Sequence, residues 1–207
     1  MKKFELTSKF ITNIFGTKLF RIKALIEFGN VKAGELGGFV EKEENLSQDG
    51  NAWVYGNACV CGDACVCGDA RVYGNAWVYG NARVCGDACV CGDARVYGNA
   101  RVCDDAWVYG NARVCGDACV YGDARVYGDA CVYGDAGYAT VHGFGSEYRT
   151  TTFFKTKAGD IGVKCGCFYG NLSEFRKKVV ETHGETKKAK EYLMLADLME
   201  FRFSDNS

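Results

Sequence analysis

A six-residue repeat occupies the middle of the chain and restricts its fold more than any other feature. The residues from Gly50 to Tyr133 form fourteen consecutive units that read Gly-(Asn/Asp)-Ala-x-Val-(Tyr/Cys). Only one unit departs from glycine at its first position, where Asp104 stands instead. A fixed short period indicates an array of stacked units, and it takes precedence over the propensities of single residues.

The alternation of side chains within each unit predicts one short strand followed by one corner. Alanine and valine are two residues apart, so they face the same side of an extended chain. The variable residue between them faces the other side, as does the tyrosine or cysteine after valine. Glycine permits the positive φ of a tight corner, and Asp104 is a tolerable substitute because aspartate visits the left-handed region more readily than most residues. One such strand cannot bury its Ala/Val side alone, so neighbouring units must stack.

This repeat resembles that of the hexapeptide-repeat left-handed β-helix family, whose best-known members are trimeric acyltransferases. The resemblance implies three units per turn and a left-handed winding. The expected fold is mainly β: a left-handed triangular parallel β-helix with an N-terminal β cap and a small C-terminal β-hairpin plus two-helix module. Its column of alanine and valine predicts a narrow, dry core without room for a ligand.

The non-repetitive ends divide the chain into three predicted parts. These are an N-terminal β cap over residues 1–37, the β-helix over 38–139, and a ββαα module over 140–207. In the module we predict strands at 150–157 and 161–168 and helices at 174–182 and 186–201. The second helix has a wider apolar face than one neighbour needs, which favours a partner or a second copy there: Tyr192, Leu195, Leu198 and Met199.

A second resemblance concerns the segment that leads into the repeats. Lys32-Ala33-Gly34, Gly37-Gly38-Phe39-Val40 and Asn45-Leu46-Ser47 closely resemble elements of a group of bacterial and phage hexapeptide-repeat proteins, some of them labelled transferases by analogy of fold. The resemblance covers about residues 18 to 135. It implies a phage or prophage accessory protein that sequesters or inhibits a host defence protein.

Composition points to a cytoplasmic location, and the resemblance implies that the cytoplasm is that of a bacterium, with a phage as a possible source of the gene. The net charge is −1, so the chain as a whole does not attract nucleic acid or an anionic membrane. No apolar run approaches the ~18 residues that span a bilayer. Thirteen cysteines without a secretory signal indicate free thiols in a reducing compartment.

Histidine is the residue on which an enzymatic function would depend. The resemblance to acyltransferases implies a histidine on the coils as general base, but the two histidines of this chain, His142 and His183, lie outside the repeats. His142 follows the last coil and is a weak catalytic candidate in a cleft between β-helix and module. The alternative is an ordinary loop residue. We therefore favour a non-enzymatic protein without a cofactor and keep an acyltransferase-like enzyme as the alternative.

Cysteines form a row along the coils, because residues eighteen apart stack. Cys67, Cys85 and Cys103 make such a row, which raises the question of a soft metal. A flat strand surface does not arrange four ligands as a tetrahedron, and Cys-x-Cys is not the Cys-x2-Cys spacing of zinc sites. We predict no metal site.

Aromatic and arginine residues collect on one outward face at the same spacing. They are Trp53, Tyr55, Arg71, Tyr73, Trp107, Tyr109, Arg125 and Tyr127. Such residues are typical of binding hot spots, which favours a flat platform for a protein partner or for a homo-oligomer, dimer or trimer. The alternative is that stacked aromatics only stabilise the ladder, as cross-strand pairs do in any sheet.

Carboxylates line one edge at that spacing: Asp69, Asp87, Asp105 and Asp123. Neighbours about 4.8 Å apart repel by about 1 kcal/mol even in water-like dielectric. One interpretation is an acidic mimic of nucleic acid; the other is a row of solvated corner residues. Direct nucleic-acid binding is not favoured, because the arginines are few and interspersed with aspartate.

Overall fold

A computed structural model describes residues 2–134, 137–144 and 149–204 of the chain. The N-terminal part contains three strands and a short 3-10 helix: β1 (Phe4–Thr12), β2 (Lys18–Ala24), β3 (Leu36–Val40) and Glu43–Asn45. The strands pair antiparallel, β1 with β2 and β2 with β3. The predicted N-terminal β structure is therefore present.

Each repeat unit contributes one short strand, which begins at its variable residue and includes the valine. These strands are β4 (Trp53–Val54), β5 (Cys59–Val60), β6 (Cys65–Val66), β7 (Arg71–Val72), β8 (Trp77–Val78), β9 (Arg83–Val84), β10 (Cys89–Val90), β11 (Arg95–Val96), β12 (Arg101–Val102), β13 (Trp107–Val108), β14 (Arg113–Cys115), β15 (Cys119–Val120), β16 (Arg125–Val126) and β17 (Cys131–Tyr133). Strands eighteen residues apart pair in parallel, as Cys89 does with Trp107. The result is the predicted three-sided β-solenoid, with about five turns.

Three columns of strands give the solenoid three outer faces. Face I consists of β4, β7, β10, β13 and β16. Face II consists of β3, β5, β8, β11, β14 and β17, and face III of β6, β9, β12 and β15. Within a column, backbone N–H groups donate to carbonyl oxygens of the next coil, as Cys89 N does to Ala106 O at 2.9 Å. The ladders hold each face flat and fix the position of every outward side chain.

The interior of the solenoid is the predicted column of small apolar side chains. The alanines and valines of the repeats are at most 1% exposed. The corners are equally regular, because each repeat glycine has a positive φ. A Cβ at Gly68 would lie 3.0 Å from the backbone nitrogen of Gly86, so close approach of the coils requires glycine as well. Asp104 is the one non-glycine with positive φ in the described residues, at 58°, as predicted.

The open N-terminal end of face I is closed by residues from the start of the chain. Lys3 is 2% exposed, and its Nζ donates to the carbonyl oxygens of Asp49, Gly50 and Ala52. The same ammonium lies 4.8 Å from the centre of the Phe28 ring. This arrangement satisfies carbonyl groups that have no coil above them.

The C-terminal module consists of a sheet covered by two helices. Its elements are β18 (Tyr138–Phe144), β19 (Arg149–Lys155), β20 (Ile161–Cys165), β21 (Phe168–Asn171), α1 (Leu172–His183) and α2 (Lys187–Phe203). The predicted hairpin, β19 with β20, and both predicted helices are present. The structure adds β18 and β21, which flank the hairpin in a four-stranded antiparallel sheet. Within the described residues, neither helix has the length and apolar content that crossing a bilayer requires.

Candidate protein-binding faces

The predicted aromatic and arginine column lies on face I. Arg71 pairs with Cys89, Cys89 with Trp107, and Trp107 with Arg125. The guanidinium of Arg125 lies 5.6 Å from the Trp107 ring, which is within the range of a cation–π interaction. Trp107 is 38% exposed, so this column presents a large aromatic surface to solvent. The stacking also stabilises the ladder, so both interpretations of the column have a structural basis.

The prediction that Trp53 belongs to this exposed surface is wrong. Its side chain is 0% exposed because two rings of the N-terminal segment cover it. The centres of the Phe4 and Phe28 rings lie 6.1 and 5.4 Å from that of Trp53, both edge-on. Tyr55, the next predicted residue, is half-buried and packs against the same core.

The other end of face I is covered by the C-terminal sheet. The Tyr169 ring packs edge-on against Tyr127 at 4.7 Å, and the Lys164 ammonium lies 5.5 Å from the centre of the Tyr127 ring. Thr152 accepts a hydrogen bond from the backbone of Arg125 at 3.1 Å. The open part of face I is therefore its middle, which carries Arg71, Tyr73, Trp107 and Tyr109.

A cluster of two thiols and one phenol lies in that open part. A hydrogen bond from Cys89 lowers the pKa of Cys91 to about 6; burial opposes this shift, and a hydrogen bond from Tyr73 adds to it. Hydrogen bonding to the Cys91 thiolate raises the pKa of Cys89. Cys59 and Cys61 have the same spacing on face II, but burial raises the pKa of Cys61 to about 11. The two Cys-x-Cys pairs therefore have the same spacing, but the pKa of Cys91 is lowered and that of Cys61 is raised.

Face III carries the predicted cysteine row. Cys67, Cys85 and Cys103 are half-buried, and burial raises the pKa of Cys103 to about 12. Among the described residues, no group of three or more histidine, cysteine or acidic side chains has an arrangement that holds a metal ion. The outer arginines of this face, Arg83 and Arg101, are exposed and pair in register.

Face II carries a second aromatic and arginine column that the sequence reasoning missed. Trp77 pairs with Arg95, and Arg95 pairs with Arg113. The rings of Tyr79 and Tyr97 stack at 4.9 Å with an angle of 3° between their planes. The signal was present in the sequence, because these residues follow the same eighteen-residue spacing as face I.

The acidic row lies along one corner edge, and its carboxylates have few donors. The backbone N–H of Asn51 donates to Asp69 at 3.0 Å. On the other two edges, asparagines are mixed with aspartates, and amides donate to carboxylates at 2.9 to 3.1 Å, as Asn99 does to Asp117. The row of Asp69, Asp87, Asp105 and Asp123 contains no asparagine, so its like charges face each other without an amide between them.

His142 lines a cleft between the last coils and the C-terminal sheet, at the place the sequence predicts. The cleft has a volume of about 460 Å³ and also contains Asp123, Arg125 and Lys164. The imidazole is exposed, and its Nδ1 lies 3.0 Å from the hydroxyl of Thr150. In the described part of the chain, the contact of the ring is with this neutral hydroxyl. Among residues 2–134, 137–144 and 149–204, no carboxylate forms a hydrogen bond with this ring of the kind that orients a general base.

Three of the four residues predicted for a partner-binding helix face lie in the core of the module. Tyr192, Leu195 and Met199 are 6 to 8% exposed and pack with the sheet and with α1. Their prediction as an outer contact surface is wrong, because the four-stranded sheet covers that side of α2. Leu198 is 55% exposed and lies in a stripe with Met194 and Phe201.

Parallel coils with an alanine and valine interior define the chain as a β-solenoid repeat protein. Residues 64–80, 88–104, 94–110 and 118–134 are similar to the family model described as the YdcK beta solenoid repeat. These stretches lie between residues 64 and 134 and together span less than half of the chain. No curated protein matches the chain. The comparison supports a β-helix repeat, and the likeness to acyltransferases and phage proteins stays a prediction.

Proposed function

We propose that this protein is a rigid, non-enzymatic scaffold that binds another protein on the outside of its solenoid. The observation that carries the proposal is the open middle of face I, where Arg71 and Trp107 stand on paired strands and Tyr73 and Tyr109 directly follow these strands. Arginine, tyrosine and tryptophan are the residues that most often dominate the energy of protein interfaces. The interior is filled by alanine and valine, which leaves the outer faces for contact.

The rigidity of the faces favours binding. Each outward residue sits on a strand that is hydrogen-bonded to the coil on either side, as Arg71 N is to Ala88 O at 2.9 Å. The aromatic side chains also pack on one another, since the ring centres of Tyr109 and Tyr127 lie 4.3 Å apart. A surface that is ordered before binding loses little conformational entropy when the partner arrives.

Capture from a bacterial lysate tests the proposal. The wild type is compared with the double variant Trp107→Ser/Tyr109→Ser on face I and with Arg83→Ser/Arg101→Ser on face III. We expect a protein that the wild type and the face III variant retain and that the face I variant loses. Equal capture by all three folded proteins, or no capture by any, contradicts the proposal.

The resemblance of residues 18 to 135 to bacterial and phage proteins supports a narrower form of the proposal. In that form, the chain is a phage or prophage accessory protein that sequesters or inhibits a host defence protein in the bacterial cytoplasm. The captured protein is purified and its activity measured with and without this chain. Activity that does not change at saturating concentration contradicts inhibition.

We also propose self-association through the exposed stripe of α2. Met194, Leu198 and Phe201 are spaced four and three residues apart, which is the seam spacing of paired helices. Sedimentation of the wild type should show a dimer, and Leu198→Glu should dissociate it. The contact between copies would instead lie on face I if the wild type is a trimer, Leu198→Glu leaves this trimer intact and Trp107→Ser dissociates it.

The enzymatic alternative depends on the cleft around His142. Its cationic groups, Arg125 and Lys164, suit an anionic substrate such as an acyl-CoA. If acyl-CoA raises the melting temperature of the wild type but not that of His142→Ala, the result favours an enzyme. An unchanged melting temperature of the wild type argues against an enzyme.

The second alternative is an acidic mimic of nucleic acid. It fails if the triple variant Asp69→Asn/Asp87→Asn/Asp105→Asn still captures the partner.

A further inference from the structure

The turn between β1 and β2 exposes two large apolar side chains. Ile14 is 93% exposed and Phe15 is 83% exposed. The turn does not need either of them, because the side chain of Asn13 accepts hydrogen bonds from the backbones of Phe15 and Thr17, both at 2.9 Å. Turn positions are ordinarily polar, and exposed apolar groups of this size mark contact sites.

The hairpin is held over face II. Leu19 of β2 is 0% exposed and packs on Phe39, Cys59 and Cys61, which point outward from the first coils of that face. Beyond this contact, the turn projects above the aromatic residues of the next coils. The position of Ile14 and Phe15 relative to the solenoid is therefore fixed by a buried contact at the base of the hairpin.

An apolar cleft lies between the turn and face II. Its volume is about 460 Å³, which is within the ~300–1,000 Å³ typical of ligand sites. Residues 11–15 of the hairpin form one wall, and the floor consists of Cys61, Trp77, Tyr79 and Arg95. Trp77 and Tyr79 are only half-buried, so their rings are available to a group that enters the cleft.

Positive charge continues from the floor of the cleft along face II. Arg95 pairs in register with Arg113, and Lys157 borders the same depression. Among the described residues, neither guanidinium forms an ion pair with a carboxylate. The carboxylates of Asp93 and Asp129 line the same depression, and they accept hydrogen bonds from asparagine amides of their own edge at 3.1 Å.

We propose that this cleft binds an acidic peptide segment of a protein partner. One bulky apolar side chain of the peptide fills the space between Phe15 and Trp77, and acidic side chains further along pair with Arg95 and Arg113. Arg113 lies two coils below Trp77, roughly 10 Å away, which an extended peptide covers in about three residues. The inference rests on the proposed function and names the chemistry of the partner.

Selection of peptides tests this assignment. A display library of random short peptides is panned on the wild-type protein after depletion on the folded double variant Phe15→Ser/Arg95→Ser. We expect enriched peptides with a bulky apolar residue followed within three positions by two acidic residues. Enrichment of basic peptides, or no enrichment over the depleted library, overturns the inference.

An enriched peptide is then synthesised, labelled and titrated by fluorescence anisotropy. Phe15→Ser and Arg95→Ser should each weaken its binding by about tenfold, as loss of a hot-spot contact does. Val180→Ser and Arg101→Ser change an exposed apolar residue and an exposed arginine elsewhere on the surface, and they should leave binding unchanged. Equal weakening by both pairs overturns the assignment of the site.

Two further outcomes separate this inference from related ones. A wild-type dimer that Phe15→Ser dissociates would mean that a second copy occupies the cleft, and it would overturn the peptide assignment. If no peptide is selected but Trp107→Ser/Tyr109→Ser still abolishes partner capture, the inference fails while the proposed function stands. If no peptide is selected and the face I variant captures the partner as the wild type does, both the inference and the proposed function are contradicted.

Discussion

The ammonium of Lys3 lies 3.1 Å from the carbonyl oxygen of Ala52, the residue that precedes the first strand of face I. It also lies 3.2 Å from the carbonyl oxygen of Gly50. On the coils below, such carbonyls accept hydrogen bonds from the coil above, as Ala70 does from Trp53 at 3.0 Å. One side chain thus replaces the missing strand at the end of the column.

Removal of this amino group should destabilise the fold. We expect Lys3→Met to lower the free energy of unfolding by about 1–3 kcal/mol, because it leaves the buried carbonyl of Ala52 and two partly buried carbonyls without this donor. Urea unfolding followed by circular dichroism measures the effect. Lys2→Met is the control, because Lys2 is exposed and its ion pair with Glu43 lies on the surface, where such a pair is worth at most about 1 kcal/mol. Equal losses in the two variants would contradict the capping role.

The thiols of face I and face II should differ in reactivity although they are equally accessible. Cys91 and Cys61 are both 8% exposed, but their pKa values are about 6 and about 11. The thiolate is the reactive form, so alkylation of Cys91 should rise through pH 6 and level off near neutrality. Cys61 should still react slowly and keep accelerating at alkaline pH.

Pulses of iodoacetamide across this pH range, followed by peptide mass spectrometry, measure both rates in one sample. Tyr73→Phe removes one of the two donors to Cys91, so it should raise the pKa of that thiol and slow its alkylation at neutral pH. Equal rates for Cys91 and Cys61 in the wild type would show that the hydrogen bonds do not stabilise the thiolate.

The single non-glycine corner offers a test of backbone strain. Asp104 has a φ of 58°, and its carboxylate accepts a hydrogen bond from Gly122 N at 3.1 Å. Asp104→Ala keeps the strain and loses the bond, so we expect a loss of about 1–2 kcal/mol in urea unfolding. Asp104→Gly relieves the strain and should be close to neutral. An alanine variant as stable as the glycine variant would contradict the argument.

Neutralising a carboxylate in the acidic row should stabilise the solenoid. Asp87 lies between Asp69 and Asp105, and an amide at this position relieves two repulsions and supplies a donor. We expect Asp87→Asn to gain about 0.5–1 kcal/mol, more at low salt than at high salt. Asp93→Asn is the control, since Asp93 already accepts from the Asn75 amide at 3.1 Å. Thermal unfolding of both variants at two salt concentrations measures the gains in stability. Equal gains for Asp87→Asn and Asp93→Asn would contradict repulsion between the carboxylates of the row.

The coils were predictable because their contacts repeat at a fixed spacing. Knowledge of one unit gives the inward alanine and valine, the corner glycine and the columns of all three faces. Trp53 and Trp107 show the limit of prediction from the repeat. They occupy the same position of the unit, yet Trp53 is buried and Trp107 is exposed. Phe4 and Phe28 cover it from a segment without periodicity, and such long-range contacts leave no local pattern.

The same limit explains what was missed elsewhere. The turn at Ile14 and Phe15 was predictable from Gly16, but its position over Trp77 depends on how Leu19 docks. On α2, the sequence showed a broad apolar face without showing which part the sheet would cover. The outer strand β18 contacts α2, and Leu195 is buried in the core of the module while Leu198 is exposed.

The register of eighteen residues has a consequence for how such a gene can change length. Gain or loss of three whole units would lengthen or shorten the solenoid and keep every column aligned. Gain or loss of a single unit would turn everything beyond it by a third of a revolution, and Arg113 would no longer follow Arg95 under the hairpin. Copies of this gene that still serve the same partner should therefore differ in multiples of fifty-four nucleotides.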